Sequence, residues 1–353
     1  MNRRAFISAA ATAPMAGLVA RPAEAADPQA TLPWRVFEIT TRVTLPEQDG
    51  PARLWLPLAQ TAAGYQTALH LRWQGTGLIE MVRDETHGAA LLRANWDSGG
   101  TPRRVDVVQT VATRDRESMP MTAISQAERR FWTAATDSAP TDGIVRETAE
   151  RITAGRTAPR ERLRAIYDWV VDTTWRNPDT PGCGLGDIKA MLETRNFGGK
   201  CADINGLMVG LARAAGFPAR DVYGIRVADS RQFPSLGRSG DISKAQHCRA
   251  EVFLEDAGWF PVDPADVRKV VLEQKLPVDS PEVQALRERL FGSWEMNWIG
   301  YNSATDIVLP GADGRPMNFA FLMYPCAFTA SGQPNALDPA RFRYEITSRE
   351  ISV

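Results

Sequence analysis

The sequence predicts an α+β protein in which an N-terminal antiparallel β-sandwich is followed by a mixed domain with C-terminal β additions. Three observations favour this class. Short runs of β-branched and aromatic residues, separated by turn residues, occupy residues 34–113. From residue 114 the apolar residues recur every three or four positions, as in helices. After residue 219 the runs become strand-like again, and helices followed by strands are typical of α+β domains.

The first 25 residues have the pattern of an export signal rather than of a folded element. Arg3-Arg4 precedes a small and apolar stretch, and Ala23-Glu24-Ala25 has the form of an A-x-A cleavage site. The paired arginines indicate a Tat-type signal. We therefore expect residues 1–25 to be removed and the mature protein to be periplasmic or secreted.

The predicted sandwich, residues 34–113, consists of short strands with turn signals between them. The predicted strands are Trp34–Leu45, Arg53–Leu56, Ala68–Trp73, Leu78–Val82, Ala89–Ala94 and Arg104–Thr113. These strands contain no set of residues that points to catalysis. We interpret this part as a structural or interaction module.

The second predicted domain, residues 114–276, begins with a partly helical connector at Met119–Asp137. Helical periodicity and strand-like runs follow, with the polar residues 229–246 between two of the strands as a surface loop beside the site. The predicted helices are Thr141–Ala154, Pro159–Val171, Gly186–Leu192 and one starting at Cys201, and the strands are Ala219–Ala228, His247–Leu254 and Gly258–Val262.

Residues 277–353 are expected to pack on the preceding domains as one helix and several strands. The helix is Pro281–Phe291, and the strand-like runs are Trp294–Pro310, Asn318–Tyr324 and Phe342–Val353.

Composition excludes several classes of partner. The formal net charge is −1 over 353 residues, so no basic excess favours nucleic acid. No apolar run reaches the roughly 18 residues of a membrane-spanning helix. No integral membrane segment is therefore expected once the signal is cleaved.

The stretch from Gly198 to Asn205 is the strongest candidate for a functional site. Two glycines and Lys200 lead directly into an apolar helix, and Cys201 lies at its start. A thiol in the first helical turn lies at the positive end of the helix dipole. This position lowers the thiol pKa and favours the thiolate, which is the form that attacks carbonyl groups.

A cysteine nucleophile needs a base and a third group that orients the base. The chain has three histidines, and His70 and His87 lie in the predicted sandwich. His247 instead opens a strand in the same region as Cys201, and the next strand ends at Asp263. Adjacent antiparallel strands can bring His247 and Asp263 together, which predicts a Cys201–His247–Asp263 triad.

Each triad member alone is more simply explained by structure: a buried cysteine, a histidine at a strand start and an aspartate before proline are all common. The three residues support a catalytic site only when they are taken together. Other chemistries fit poorly, since Cys201 replaces the Ser or Thr of a phosphate-binding loop and no G-x-S-x-G motif occurs. No C-x-x-C spacing suggests zinc, and the acidic residues near Asp263 are too sparse for a calcium loop. We expect no cofactor and no metal.

The same region resembles the bacterial branch of the transglutaminase-like family of papain-like cysteine enzymes. The matching blocks, which span roughly residues 155–270, are Gly199-Lys-Cys201, Leu211–Arg220, Tyr223-Gly224, His247 with Ala250-Glu251-Val252, and Gly258-Trp259 through Val262-Asp263-Pro264. The resemblance implies a Cys-His-Asp triad and a cysteine-bearing helix packed on a small antiparallel sheet. This chain has Arg249 where the family often has tryptophan.

The resemblance implies acyl transfer from a peptide or protein substrate. Cys201 attacks an amide or ester carbonyl, His247 transfers the proton and Asp263 orients the imidazole. The Cys201 backbone N–H, with Trp175 or Asn177 as a second donor, is the expected oxyanion site. Cys248 is interpreted as a core residue that points away from the face of His247.

Two functions remain open from the sequence. The first is an exported hydrolase or transamidase; the second is a catalytically silent scaffold that binds a protein in the cell envelope. If Cys201 stays a free thiol, at most one disulfide can form among Cys183, Cys248 and Cys326.

Overall fold

The computed structural model describes residues 33–46, 49–62, 64–100, 102–118, 123–317, 319–337 and 342–351. The predicted export signal, residues 1–25, lies outside the described residues. Among those that are described, no helix is long and apolar enough to cross a membrane.

The described helices and strands follow the predicted order. The helices are α1 (Gln126–Thr133), α2 (Gly143–Thr153), α3 (Pro159–Thr173), α4 (Ile188–Thr194), α5 (Cys201–Ala214), α6 (Pro264–Glu273) and α7 (Pro281–Arg289). The strands are β1 (Arg35–Leu45), β2 (Ala52–Pro57), β3 (Gln66–Gly75), β4 (Leu78–Arg83), β5 (Ala90–Trp96), β6 (Arg103–Thr113), β7 (Arg116–Glu117), β8 (Trp175–Arg176), β9 (Gly198–Gly199), β10 (Ala219–Arg226), β11 (Gly240–Asp241), β12 (Gln246–Leu254), β13 (Gly258–Val262), β14 (Ser293–Trp294), β15 (Trp298–Asn302), β16 (Cys326–Thr329) and β17 (Arg343–Ile351).

Two antiparallel sheets form the predicted sandwich. One has the strand order β11-β17-β1-β6-β3 and the other β16-β2-β5-β4. Alternate residues of β1, including Phe37 and Ile39, lie in one buried cluster with Leu54 of β2 and Leu92 of β5. The period-2 alternation of the sequence therefore places one face of each sheet in a shared core.

Strands from the C-terminal region complete this sandwich. β17 pairs with β1 from Val36 opposite Ile351 to Thr44 opposite Arg343, and β16 pairs with β2. Residues 34–113 thus supply most of the sandwich, and residues 277–353 supply two further strands.

The second region is built around α5 and a sheet with the order β13-β12-β10-β15. α5 contacts β10 and β12 as well as α2, α3 and α6. Its residues from Cys201 to Arg213 are all buried. A mostly apolar helix that is buried on every side needs neighbours on every side, which explains why α5 lies at the centre of this region.

Three features differ from the prediction. α6 begins at Pro264, where a proline fits the first helical turn, and was not predicted. Asn318–Tyr324 was predicted as a strand, but no strand is present in its described residues, and β16 follows it instead. Phe321, Leu322 and Met323 are buried, and Phe321 forms an isolated antiparallel bridge with Thr305 but belongs to no strand. Their hydrophobicity therefore reflects burial rather than a strand.

Candidate active site

Cys201 is fixed at the start of α5 by one carboxylate. Asp203 accepts hydrogen bonds from the backbone N–H of Lys200 at 2.9 Å, of Leu185 at 3.0 Å and of Gly186 at 2.9 Å. These bonds satisfy free N–H groups at the helix start and attach the preceding loop to it. The loop approaches so closely that a Cβ on Gly184, whose φ is +95°, would overlap the Asp203 carboxylate.

The same loop brings a second cysteine to the nucleophile. The carbonyl of Cys183 accepts a hydrogen bond from the Ala202 N–H at 2.9 Å. Its thiol donates to the Gln246 carbonyl at 3.4 Å and accepts from the Tyr324 hydroxyl at 3.1 Å. The thiols of Cys183 and of Cys248 from β12 are both close enough to Cys201 to act on its pKa. All four cysteines of the chain are free and buried, so these contacts join thiols rather than a disulfide.

His247 and Asp263 are brought together by the β12–β13 pair. The strands pair with Ala250 opposite Val262, so the start of β12 lies beside the end of β13. His247 Nε2 lies 2.8 Å from Asp263 Oδ2. Asp263 is also the N-cap of α6, because its Oδ1 accepts from the Asp266 N–H at 3.1 Å.

The electrostatics around Cys201 favour the thiolate. Hydrogen bonds from Cys183 and Cys248, together with the hydrogen bond and charge of His247, lower the pKa of Cys201 well below its usual value although burial raises it. Burial and the charge of Arg226 lower the pKa of His247, but Asp266 and Asp263 outweigh them and raise it to about 9. The two directions agree with a thiolate–imidazolium pair.

A buried network surrounds this pair. Asp266 Oδ1 lies 3.4 Å from His247 Nε2 and 2.5 Å from Arg226 Nη2. Donor atoms of His247, Asp263 and Asp266 all lie within 4.8 Å of one another, a spacing that could hold a metal ion. Arg226 already supplies positive charge to this cluster, so the contacts fit a hydrogen-bonded charge network better than a cation site.

Arg249, the departure from the family pattern, lies in the wall of this network. Its guanidinium is 4.9 Å from the ring centre of Trp298 and 5.4 Å from that of Trp294. Its Nε lies 3.4 Å from Asp263 Oδ2. Arg249 therefore adds a buried positive charge beside the same carboxylate oxygen that binds His247.

Cys201 and His247 open into a cavity of about 770 Å³. Residues of the predicted loop 229–246 line one part of it, which agrees with the expectation that this loop lies beside the site. The C-terminal region contributes Tyr324, Leu337, Phe342 and Tyr344 to another part. The cavity is large enough for a peptide segment and reaches the thiol.

The structure does not bring the two expected oxyanion side chains to the thiol. The ring of Trp175 lies against Gly198, and the Asn177 side chain accepts a hydrogen bond from the Asp179 N–H at 3.0 Å. Arg176, which lies between them, lines the cavity and they do not. A role for either side chain in stabilising an oxyanion stays a prediction without a contact to support it.

Several neighbours of the site were not identified from the sequence as functional residues. Asn205, Asp266, Arg226 and Cys183 all contact predicted triad residues or their direct partners. Asn205 could have been noticed in the sequence, because it is a polar residue one turn after Cys201 in a mostly apolar helix. Cys248 is fully buried, as expected for a core residue, but the alternation of β12 did not indicate its contact with Cys201.

Comparisons with known proteins agree with this architecture. The profile of the family described as "Transglutaminase-like superfamily" matches residues 146–264. A Haemophilus influenzae protein described only as an uncharacterized protein is 34% identical over 338 residues, which cover 89% of this chain and 91% of that protein.

One of the similar solved structures supports the fold. A structure described as "a Putative Cysteine Protease from Cytophaga hutchinsonii" has a TM-score of 0.55 at 14% identity and covers 91% of this chain and 92% of that chain. The periplasmic domain of TgpA from Pseudomonas aeruginosa has a TM-score of 0.34 at 16% identity and covers 74% of this chain and 90% of that domain. At such low identity the first likeness supports the fold alone.

Proposed function

The chain belongs to the transglutaminase-like superfamily, and from this premise we propose that it is a thiol acyl-transfer enzyme that uses Cys201 as its nucleophile. The observation that carries the proposal is the His247–Asp263 hydrogen bond of 2.8 Å beside a thiol whose pKa is lowered. Cys201 and His247 line the cavity, and Asp263 is hydrogen-bonded to His247 behind that lining.

In the proposed reaction the Cys201 thiolate attacks an amide carbonyl and forms a tetrahedral oxyanion. The backbone N–H of Cys201, at the start of α5, is the donor we expect at that oxygen. The His247 imidazolium gives its proton to the leaving amine, and a thioester remains on Cys201. Neutral His247 then accepts a proton from water or an acceptor amine as it attacks the thioester, which restores the thiolate–imidazolium pair.

Asp263 acts in this proposal by positioning His247. Its Oδ2 binds the imidazole, while its Oδ1 is fixed by the Asn205 amide at 3.1 Å and the Asp266 N–H at 3.1 Å. A carboxylate whose two oxygens are both bonded cannot rotate freely. It therefore keeps Nε2 of His247 hydrogen-bonded and leaves the other ring nitrogen, Nδ1, for proton transfer.

We also propose that the enzyme works outside the cytoplasm. The twin-arginine signal and the cleavage site at Ala25 support this location. Expression in a Gram-negative host, followed by mass spectrometry of the N-terminus in the periplasmic fraction, tests it. The expected mature protein begins at Ala26, and an uncleaved cytoplasmic chain would contradict the proposal.

The test of catalysis is selective alkylation combined with turnover. Iodoacetamide should modify Cys201 much faster than Cys183, Cys248 or Cys326, and a peptide-amide library should be turned over by the wild type and by Cys326→Ala but not by Cys201→Ala. Cys326 is a matched control, because it is a buried thiol in the sandwich, hydrogen-bonded to Gln333. Slow uniform alkylation without turnover would instead favour the silent scaffold.

A further inference from the structure

The cavity in front of Cys201 is strongly basic although the chain as a whole is nearly neutral. Among the residues that the structure describes, Asp241 and Glu273 are the carboxylates in its lining. The cations that line it are Arg176, Lys200, Arg226, Arg238, Lys244 and Lys269. A cleft with an excess of one charge sign concentrates ligands of the opposite sign.

The lysines of the chain are concentrated at this cavity. The sequence has 41 lysines and arginines together, of which five are lysines. Three of the five, Lys200, Lys244 and Lys269, line the cavity. The remaining two are Lys189 and Lys275. Because arginine is the default basic residue elsewhere, this distribution marks the cavity as a place where compact, movable charges are used.

Arg226 is paired with Asp266 at 2.5 Å, but the other cavity cations are not fully neutralised by protein carboxylates. Glu273 is shared by Arg176 at 3.4 Å and Lys269 at 3.9 Å. Asp241 accepts hydrogen bonds from the N–H and hydroxyl of Ser243 at 3.0 and 2.7 Å. Lys200 and Lys244 form no ion pair with any residue in the described ranges.

Lys269 is the cavity cation whose charged form is disfavoured by its surroundings. Its side chain is 16% exposed. Burial and the nearby charge of Arg226 lower its pKa to about 8. A carboxylate placed beside Lys269 would relieve both effects, because it would replace lost water and offset the neighbouring guanidinium.

We propose that the site acts on an acidic peptide, with a substrate carboxylate bound beside Lys269 and the scissile carbonyl at Cys201. This assignment rests on the proposed acyl-transfer function. The aromatic side chains of Tyr324, Phe342 and Tyr344 form the less polar part of the lining, where the aliphatic portion of an acidic side chain can pack. The basic cleft then orients the substrate before the thiolate attacks.

The first experiment uses two alkylating reagents that differ in charge. Iodoacetate carries a carboxylate and iodoacetamide does not. Both alkylate the Cys201 thiolate through their methylene carbon with loss of iodide. The iodoacetate rate divided by the iodoacetamide rate should be at least about threefold lower in the double variant Lys244→Gln/Lys269→Gln than in the wild type. For the wild type, this ratio should also fall in high salt. Lys189→Gln is the matched control, since Lys189 pairs with Glu193 on α4 at 3.8 Å outside the cavity. A ratio that is the same in all three proteins would overturn the proposal.

The second experiment does not depend on catalysis. Cys201→Ala protein is titrated into fluorescein-labelled peptides of the sequence Gly-Glu-Gly-Glu-Gly or Gly-Gln-Gly-Gln-Gly, and binding is followed by anisotropy. The acidic peptide should bind at least about tenfold more tightly, and Lys269→Gln should remove most of the difference. Equal affinities would refute the substrate class. If the acidic peptide binds more tightly but the wild type turns over no peptide, the acyl-transfer function is refuted while the preference for acidic peptides stands.

Discussion

Asn205 on the nucleophile's helix donates a hydrogen bond from its Nδ2 to Asp263 Oδ1 at 3.1 Å. The same amide nitrogen donates to the Cys248 carbonyl at 2.8 Å, and the Asn205 carbonyl accepts from the Ala265 N–H at 3.2 Å. One fully buried side chain therefore connects α5, β12 and α6. The position of the carboxylate relative to the thiol depends on this connection.

We predict that Asn205→Leu impairs the site beyond its effect on folding. The change removes a donor from the buried Cys248 carbonyl and one of the two donors to Asp263 Oδ1, and it removes the acceptor of the Ala265 N–H. The free energy of unfolding in urea should therefore fall by about 1–3 kcal/mol. The pH dependence of the Cys201 alkylation rate should also change, because the carboxylate that orients His247 is no longer fixed. Asn302→Leu is the control, since Asn302 is also buried but donates to the Leu322 carbonyl at 2.9 Å. The same pH profile in both variants would argue against a positioning role.

His247 should keep Cys201 reactive at neutral pH. The pKa of His247 is about 9, so the imidazolium persists across neutral pH and is lost as the pH rises through about 9. We expect His247→Gln to slow alkylation of Cys201 at pH 6 at least about tenfold, because below the thiol pKa each unit changes the thiolate fraction tenfold. His87→Gln, which removes an imidazole 3.1 Å from Asp84 in the sandwich, should leave the profile unchanged. An unaltered profile in His247→Gln would contradict a thiolate–imidazolium pair.

Cys183 should act as a hydrogen-bond donor to the Cys201 thiolate. The interaction with Cys201 and burial raise the pKa of Cys183 well above the usual value, so Cys183 stays protonated and keeps an S–H, which in this structure donates to the Gln246 carbonyl at 3.4 Å. Cys183→Ala should raise the pKa of Cys201 and slow its alkylation at pH 6, with little effect at high pH where the thiolate forms anyway. Cys183→Ser keeps a donor and should recover part of the rate. The idea fails if Cys326→Ala produces the same shift.

Gly184 should be required by both its backbone conformation and its contact with Asp203. Gly184 and Gly216 have φ values of +95° and +90°, but a Cβ on Gly216 would meet no atom within 4 Å. Gly216→Ala should therefore cost only the roughly 1–2 kcal/mol of a left-handed backbone. Gly184→Ala should lose about 1–3 kcal/mol more, as overpacking does, and should also alter Cys201 alkylation. Equal urea midpoints for the two variants would show that the Asp203 contact is unimportant.

Much of the fold could be predicted because its signals are local. The strands of residues 34–113 lie within two residues of their predicted bounds, and the helix at Cys201 begins where the glycine turn ends. Alternation and helical periodicity record which face of an element is buried. They do not record which partner buries it, so the pairing of β1 with β17 could not be predicted.

The proximity of the candidate-site residues could be predicted in part, whereas their catalytic roles stay predictions. The order of Cys201, His247 and Asp263 along the chain, with the strands that carry them, was sufficient to indicate that the three lie together. The donors to the thiolate and the basic cavity depend on how the loop at Cys183 and the C-terminal region fold back. Such contacts join residues far apart in sequence, and no local pattern encodes them.

The pairing of β1 with β17 has a consequence for biosynthesis. Arg35 and Glu350, whose side chains meet across this pair, are 315 positions apart. A ribosome therefore completes the first strand long before its neighbour, and an open strand edge in the meantime can recruit other chains. Because Tyr344 belongs to both β17 and the cavity lining, the nucleophile is enclosed only when that late strand arrives. The order of synthesis thus delays completion of the reactive thiol's surroundings until β17 has been made.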